Sequence, residues 1–272
     1  MILIRKAKSV CKLIRQRIDW NKAAKLIRQD IKCKDVAAVN AGKAVVLMPH
    51  SDDEWIGCSC LLQDNSIDTL IVNMDMLGGD SEALHRERYE EAKAVSKKYG
   101  SRFVTVDNDK EKSLEDILRE ECPEIVFLPC YLDWHDEHYK TMDILEKCLG
   151  SYNGELLVAM YQVSLPIPAD MINAGYRMTK RRLDSKWKNL KKYYPTQKFL
   201  PVKRFKLNEY INGAVVGSYA LEAYVIMPAE VWRQEYHKCA LNEPDKQYFK
   251  NHLQDISLVR AALMQHLETV GE

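Results

Sequence analysis

The sequence lacks a long hydrophobic run, a disulfide framework and an excess of one charge. No window approaches the about 18 uninterrupted apolar residues that read as a membrane span, so we expect no transmembrane helix. The apolar stretch at residues 1–4 is cut short by Arg5 and Lys6, which argues against a secretory signal. The net charge of +1 across 272 residues argues against a polycation that coats nucleic acid.

The eight cysteines form no C-x-x-C pair, and their spacing is not that of a disulfide framework. A chain of this size does not need such cross-links for stability. Four of the cysteines lie in apolar runs, where a free thiol behaves as a small hydrophobic group: Cys58, Cys60, Cys130 and Cys148. We therefore predict reduced cysteines and a cytoplasmic protein, with a metal site at Cys58-x-Cys60 as a minor alternative.

From residue 43 onward, short apolar runs alternate with helical patterns. Strands are predicted at residues 44–48, 69–73, 103–106, 125–128, 156–161 and 223–227. Helices are predicted at residues 55–63, 82–99, 114–121 and 138–149, with Gly100 as a left-handed cap. This alternation predicts an α/β fold, a Rossmann-like three-layer sandwich with a mainly parallel central sheet. We expect residues 43–272 to form a single domain.

Residues 1–42 are predicted to form a basic, amphipathic helical arm. Apolar spacing indicates two helices over residues 3–34, separated at residues 19–21. Residues 1–34 contain eleven Lys or Arg and only two acids, Asp19 and Asp30. Either the arm packs on the domain with a solvated basic face, or residues 1–34 contact an anionic membrane or glycan. In the membrane case, the protein is peripheral to the inner face of the membrane.

The later part of the sequence is less regular. A second basic stretch with interleaved aromatic residues covers residues 176–206. It is either a solvated face with core aromatics or a rim that receives a phosphorylated or polyanionic sugar. The last forty residues indicate one or two closing helices, split near residues 242–245.

The first segment with clear chemistry follows the predicted strand at 44–48. There His50 is followed within four residues by three consecutive acids, Asp52, Asp53 and Glu54. Adjacent carboxylates repel one another, so clustering them is costly without a compensating cation or proton. His50 and Asp53 are three residues apart at a helix start and can reach the same point. An imidazole with a carboxylate suits zinc better than calcium or magnesium.

The second segment follows the strand predicted at 125–128 and contains Asp133, His135 and His138. The two histidines are spaced i, i+3 and therefore share a helix face. Both segments fall at the carboxyl ends of predicted parallel strands, where open α/β sheets bind ligands. Two distant segments that bring ligand-type residues to one sheet edge indicate a metal site.

These segments resemble the PIG-L/LmbE family of zinc-dependent N-acetylglucosaminyl deacetylases. The run Pro49-His50-Ser51-Asp52-Asp53-Glu54 resembles the family's P/A-H-P-D-D-E signature, and His135-Asp136-Glu137-His138 resembles its second histidine motif. Further similarity occurs at residues 88–92, 193–197 and 222–224, so that the resemblance covers residues 43–228.

The resemblance implies one Zn²⁺ per chain held by His50, Asp53 and His138, with water in an open fourth position. The site accepts Fe²⁺ or Co²⁺ as substitutes. Asp52 is then the general base toward that water, and His135 stabilises the oxyanion of the intermediate. The remaining candidates orient these groups or contact substrate: Glu54, Arg88 and Asp133.

Three positions depart from the family pattern. Ser51 replaces a proline, Glu137 replaces an aspartate, and Trp55 replaces a smaller residue at the expected pocket floor. None of these changes removes a metal ligand or a catalytic group.

The function implied is hydrolysis of the N-acetyl group of an N-acetylglucosamine-type sugar, free or carrier-linked. The alternatives are an amidase for a larger sugar or thiol-sugar conjugate, and a zinc-bearing carbohydrate-binding protein without turnover. The depth of the pocket past Trp55 and residues 74–77 would distinguish the deacetylase from the amidase, because a shallow pocket admits only an acetyl group. We expect no nucleic-acid partner, and the sequence leaves a homo-oligomer open.

Overall fold

A seven-stranded sheet lies at the centre of the computed structural model, which describes residues 2–76, 81–152 and 154–271, with side chains from residue 13. The strands are β1 (Lys43–Met48), β2 (Asp68–Asn73), β3 (Arg102–Thr105), β4 (Ile125–Pro129), β5 (Leu157–Tyr161), β6 (Ala174–Met178) and β7 (Ala220–Pro228). Their order is β3-β2-β1-β4-β5-β7-β6. The first five are parallel, whereas β7 is antiparallel to both β5 and β6.

Helices cover both faces of this sheet. They are α1 (Ile2–Asp30), α2 (Asp53–Cys58), α3 (Glu82–Tyr99), α4 (Lys110–Glu121), α5 (Asp136–Ser151), α6 (Lys180–Tyr193), α7 (Val202–Asn212), α8 (Ala229–Cys239), α9 (Glu243–His252) and α10 (Ile256–Gly271). Short 3₁₀ helices occur at Leu61–Gln63 and Gly213–Val216. None of the helices, as far as their residues are described, is long and apolar enough to cross a membrane.

Alternation along β1 explains the three layers. Val45 and Leu47 belong to one apolar cluster, whereas Val46 and Met48 belong to the cluster on the opposite face. Successive side chains of a strand point to opposite sides, so a strand buried on both faces must be apolar throughout. The α/β sandwich with a mainly parallel sheet is therefore confirmed.

The six predicted strands are all present, with ends shifted by one to three residues. Helix α3 has the predicted bounds, and Gly100 ends it in the left-handed conformation with φ of 74°. The predicted helix at 55–63 is instead the shorter α2 followed by a 3₁₀ turn. Strand β6 was not predicted, because its sequence AGYRM has no apolar run and its only strand partner is β7, with a single bridge to Ala37 on its other side.

Two expectations about the ends of the chain are wrong. Residues 19–21 do not separate two helices, because α1 continues through them. Trp20 packs beside Ala24 and Ile27, and its indole N–H donates to the Gln254 carbonyl at 2.6 Å. This tertiary packing outweighs the local capping tendency of Asp19 and Asn21. The closing segment is three helices rather than one or two, with a second break between α9 and α10.

Candidate active site

The two predicted motifs meet at the carboxyl edge of the sheet. Strands β1 and β4 are neighbours in parallel register, with Val46 opposite Phe127. The turn after β1 leads through His50 into α2, and the loop after β4 leads through Asp133 into α5. Because both strands end at the same edge, their following residues come together in space.

Three potential ligand atoms converge on one point. Asp53 Oδ2 lies 3.2 Å from His50 Nδ1 and 3.3 Å from His138 Nε2. Ligand atoms placed about 2.0–2.1 Å from a tetrahedral zinc ion lie about 3.3 Å from one another. The spacing and the donor types therefore fit a metal ion. His135 also belongs here, because ligand atoms of His50, His135 and His138 lie within 4.8 Å of one another.

Asp133 holds the second motif in place. Its Oδ1 accepts hydrogen bonds from the backbone N–H groups of Trp134 and His135, and its Oδ2 accepts one from Ser164 at 2.9 Å. The same Oδ2 lies 3.3 Å from Nδ1 of His138. Burial favours neutral Asp133, but the charge and hydrogen bond of His138 outweigh it and lower the pKa of that carboxyl.

Neighbouring charges shift the pKa values of His138 and Asp53 in opposite directions. Burial lowers the pKa of the His138 imidazole, but the carboxylates of Asp133 and Asp53 raise it to about 10. Burial likewise raises the pKa of Asp53, yet His138 and His50 together hold it well below the usual range. The positive charge of the protonated His138 imidazole thus offsets the negative charges of the two carboxylates.

The backbone of Asp52 is strained, and this residue lies directly before Asp53. It is only 4% exposed, and its φ of 143° is a backbone conformation that side-chain-bearing residues rarely adopt. The carbonyl of Asp52 accepts the N–H groups of Trp55 and Ile56, so the start of α2 maintains the strain. Burial, and then the charges of Asp53 and Glu54, raise the pKa of the Asp52 carboxyl. Strain of this kind is typical of functional sites.

Glu54 stabilises the turn between β1 and α2 through a hydrogen bond to the backbone of Asp52. Its carboxylate accepts the backbone N–H of Asp52 at 3.1 Å and the hydroxyl of Tyr194, which comes from a segment far along the chain. Burial raises the pKa of Glu54 to about 7, although the Tyr194 hydrogen bond opposes this shift.

His135 lies beside His50 and His138, but it lacks the close contacts with Asp53 and Asp133 that His138 has. Its ring centre is 4.7 Å from that of His50 and 4.9 Å from that of His138. Nδ1 lies 2.9 Å from Glu137 Oε2, but the atoms are not aligned for a hydrogen bond. Burial and the neighbouring histidines lower the pKa of His135, which favours a neutral imidazole.

These groups open into a cavity of about 170 Å³. Arg88 lines it and donates to Gln197 Oε1 at 3.3 Å, while Gln197 Nε2 donates to the Ser51 carbonyl at 3.4 Å. The lining residues that the sequence did not single out come from four separate segments: Ile56, Val163, Ser164, Leu200 and Phe205.

Two other residues of the site, Tyr194 beside Glu54 and Gln197 beside Arg88, belong to the segment at 193–197 that resembles the family. Trp55 does not line the cavity and does not narrow its floor. It is fully buried between Tyr99 and Tyr193, and its indole donates to the Lys186 carbonyl. Residue 77, part of the predicted pocket wall, lies outside the described residues.

The basic, aromatic stretch at 176–206 divides into a buried and an exposed part. Trp187 and Tyr194 are core residues, and Lys186 is buried in contact with Glu209 and Glu222. Phe199, by contrast, is 96% exposed. The core aromatic residues of the first interpretation are therefore present, but Lys186 belongs to the core and not to a solvated face.

Comparisons with known proteins show the fold. No protein-family model and no curated protein sequence matches the chain. Among solved structures, N,N'-diacetylchitobiose deacetylase from Pyrococcus horikoshii is similar with a TM-score of 0.57 and 19% identity, covering 71% of this chain and 86% of that one. A deacetylase of teicoplanin biosynthesis is similar with a TM-score of 0.51 and 12% identity, covering 68% and 98%.

The same fold also occurs in an enzyme with a different reaction. The 4-carboxy-2-hydroxymuconate hydratase from Pseudomonas putida has a TM-score of 0.51 and 15% identity, covering 68% of this chain and 95% of that one. The fold is thus that of several deacetylases, but the fold alone does not select the reaction. The choice of reaction depends on the residues at the sheet edge.

Proposed function

We propose that the chain is a metal-dependent hydrolase that removes the acetyl group from an N-acetylglucosamine-type sugar or sugar conjugate, with release of acetate and a free amine. The observation that carries this proposal is the convergence of His50, Asp53 and His138 at ligand spacing beside the strained, buried Asp52. The similarity to solved deacetylases supports it at the level of the fold.

His50, Asp53 and His138 would hold the ion, with zinc expected and Fe²⁺ or Co²⁺ as substitutes. When bound, the ion supplies a Lewis acid that polarises the amide carbonyl and makes water more acidic. Asp133 orients His138 through the contact at Nδ1, and Asp133 is itself held by three backbone N–H groups.

Asp52 would take a proton from the attacking water and deliver it to the leaving nitrogen. Its carboxyl faces the cavity, and burial with two neighbouring carboxylates raises its pKa, which favours proton uptake at this position. His135, held neutral, would donate a hydrogen bond to the carbonyl oxygen as negative charge develops there. Arg88 lines the same cavity and would contact substrate or hold Gln197.

The size of the cavity favours a small acyl group. At about 170 Å³, it is smaller than the about 300–1,000 Å³ typical of pockets for drug-sized ligands. This argues for acetyl over the larger acyl groups of the amidase alternative. A carbohydrate-binding role without turnover would not require a strained, buried acid such as Asp52 beside the ligand group.

The test is acetate release from N-acetylglucosamine, its nucleotide-linked form and a lipid-linked analogue. Each substrate is incubated with metal-loaded protein, chelator-treated protein and the Asp52→Asn variant. We expect release from at least one substrate with the loaded protein, and little with the other two samples. If metal binds but none of the three substrates releases acetate, N-acetylglucosamine deacetylation is wrong.

A further inference from the structure

Among the described side chains of α1, those that contact the rest of the protein begin at Gln16, which donates a hydrogen bond to Gln254. Ala24 is fully buried, and Trp20 and Ile27 pack with it against Leu207 and Ile211 of α7. Contacts follow the same order along both helices: Asn21 accepts a hydrogen bond from Lys203, and Arg28 donates to the Tyr210 carbonyl. The two helices are therefore parallel, and α7 begins level with about residue 20 of α1.

The apolar stripe of α1 continues beyond that packing surface. Leu13 precedes Ala24 by three helical turns and lies on the same face, because an α-helix has about 3.6 residues per turn. It has no α7 beneath it and is 52% exposed. Ile14 and Ile18 are 53% and 49% exposed. Together with Leu26, these residues are four of the ten large apolar side chains that are exposed in the described part of the chain.

Positive charge surrounds these side chains. Residues 1–34 contain eleven basic and two acidic residues. Arg15, Arg17, Lys22 and Lys25 are exposed, and none of the four has an ion pair within the described residues. Lys203 and Lys206 lie close to Arg17, and burial together with these two neighbouring charges lowers the pKa of Lys203. Exposed leucine and isoleucine beside unpaired lysine and arginine is the pattern of a helix that lies in a membrane interface.

We infer that the exposed surface of α1 around Leu13, Ile14 and Ile18 is a docking surface for an anionic lipid bilayer. The apolar side chains enter the boundary of the acyl chains, while the basic side chains meet the lipid head groups. A nucleic acid or an anionic glycan matches the charge but offers no apolar layer for Leu13, Ile14 and Ile18. A second copy of the chain that presents this same basic surface is repelled. The inference does not depend on the proposed reaction.

The experiment measures co-sedimentation of the full chain with vesicles of phosphatidylcholine, with and without added phosphatidylserine. A triple variant, Leu13→Ser, Ile14→Ser and Ile18→Ser, removes the apolar groups. A matched control, Val231→Ser with Leu258→Ser, removes half-exposed apolar residues of α8 and α10. Circular dichroism checks that each variant is folded, and sedimentation velocity reports self-association.

We expect binding to the anionic vesicles only, weakened by salt and reduced about tenfold or more in the triple variant, with the control unchanged. An Arg15→Gln, Arg17→Gln variant that folds normally is expected to lose affinity as well. The inference is overturned if the parent protein ignores anionic vesicles or binds uncharged vesicles equally well. It is also overturned if the triple variant binds as the parent does. Self-association that the triple variant abolishes, without vesicle binding, would identify a second copy as the occupant.

Discussion

Two buried polar clusters lie at the two ends of α2, and they differ in how completely their atoms are paired. The site cluster contains His50, Asp52, Asp53, His135 and His138. The lysine cluster contains Lys186, Glu209 and Glu222, all of them less than 5% exposed. Asp52, Asp53 and His138 are buried as deeply as the lysine cluster, although His50 and His135 are partly exposed. Deep burial alone therefore does not distinguish a structural cluster from a functional one.

The lysine cluster is closed. Lys186 Nζ donates to the Ile56 carbonyl, to Glu209 and to Glu222, which uses all three of its protons. Glu222 also accepts hydrogen bonds from Ser59 Oγ and the Cys60 N–H, each at 2.7 Å. Glu209 and Glu222 raise the pKa of the Lys186 ammonium despite its burial. A charge network with every member paired holds the end of α2 in place.

The site cluster is open. Nε2 of His50 and Nδ1 of His135 are buried without a hydrogen-bond partner among the described residues, whereas Nδ1 of His138 lies 3.3 Å from Asp133 Oδ2. Asp52 adds a strained backbone and a carboxyl beside two others. Buried polar groups left unpaired are costly, and a bound ligand is one way in which such atoms gain partners. The comparison therefore separates a fully paired cluster from one with unpaired atoms, which supports the function proposed above.

The largest expected effect is on turnover, from Asp52→Asn. The variant is expected to keep its metal and lose about 10²–10⁴-fold in rate, the usual contribution of a general acid–base group. Without metal, it should be more stable than the parent, because one of three repelling carboxyls is neutralised. The measurements are acetate release, metal content and urea unfolding. His138→Ala serves as the contrast and is expected to lose both metal and turnover. Near-normal turnover in Asp52→Asn would show that another group is the base.

Lys186→Met is expected to destabilise the fold by about 3–5 kcal/mol, since it leaves Glu209 and Glu222 buried without their counter-charge. Urea unfolding measures the change, and metal content of the folded fraction should stay normal. Lys188→Met is the matched control, because Lys188 is two residues away and exposed. If Lys186→Met and Lys188→Met had the same free energy of unfolding, the lysine cluster would not have the stabilising role assigned to it.

Tyr194→Phe tests the link between the core and the site. The variant removes the hydrogen bond to Glu54, with an expected loss of about 1–3 kcal/mol in the free energy of unfolding. Turnover should fall less than in Asp52→Asn, since Glu54 does not line the cavity. Tyr193→Phe, which loses only a 3.1 Å contact with Tyr99, is the control. If Tyr194→Phe lost more turnover than Asp52→Asn, Glu54 would have to take part in the reaction directly.

The smallest effect is expected for Ser59→Ala, about 1 kcal/mol, because Glu222 keeps its other partners. Metal content and turnover should not change, and Ser66→Ala at an exposed position gives the baseline. A marked drop in metal content would mean that the lysine cluster controls ligand geometry rather than stability alone.

Much of the sheet was predictable because its strands are apolar runs buried on both faces, as in β1 and β4. Strand β6 was not, since its pairing with β7 depends on the neighbour and not on its own sequence. The break predicted at 19–21 failed for the same kind of reason. The packing of Trp20 against the segment after α9 is invisible to any local rule.

Strand and helix periodicity is local information, so it was enough to predict that the site residues follow strand ends and lie at helix starts: His50, Asp52, Asp53, His135 and His138. That β1 and β4 are neighbours, and that Asp53 lies between two imidazoles, became known from the packed structure. The packed structure also decided that Tyr194 supports Glu54 and that Ser164 holds Asp133. These partners are distant along the chain, and hydrogen bonds between distant segments form only where the packed layers bring them together.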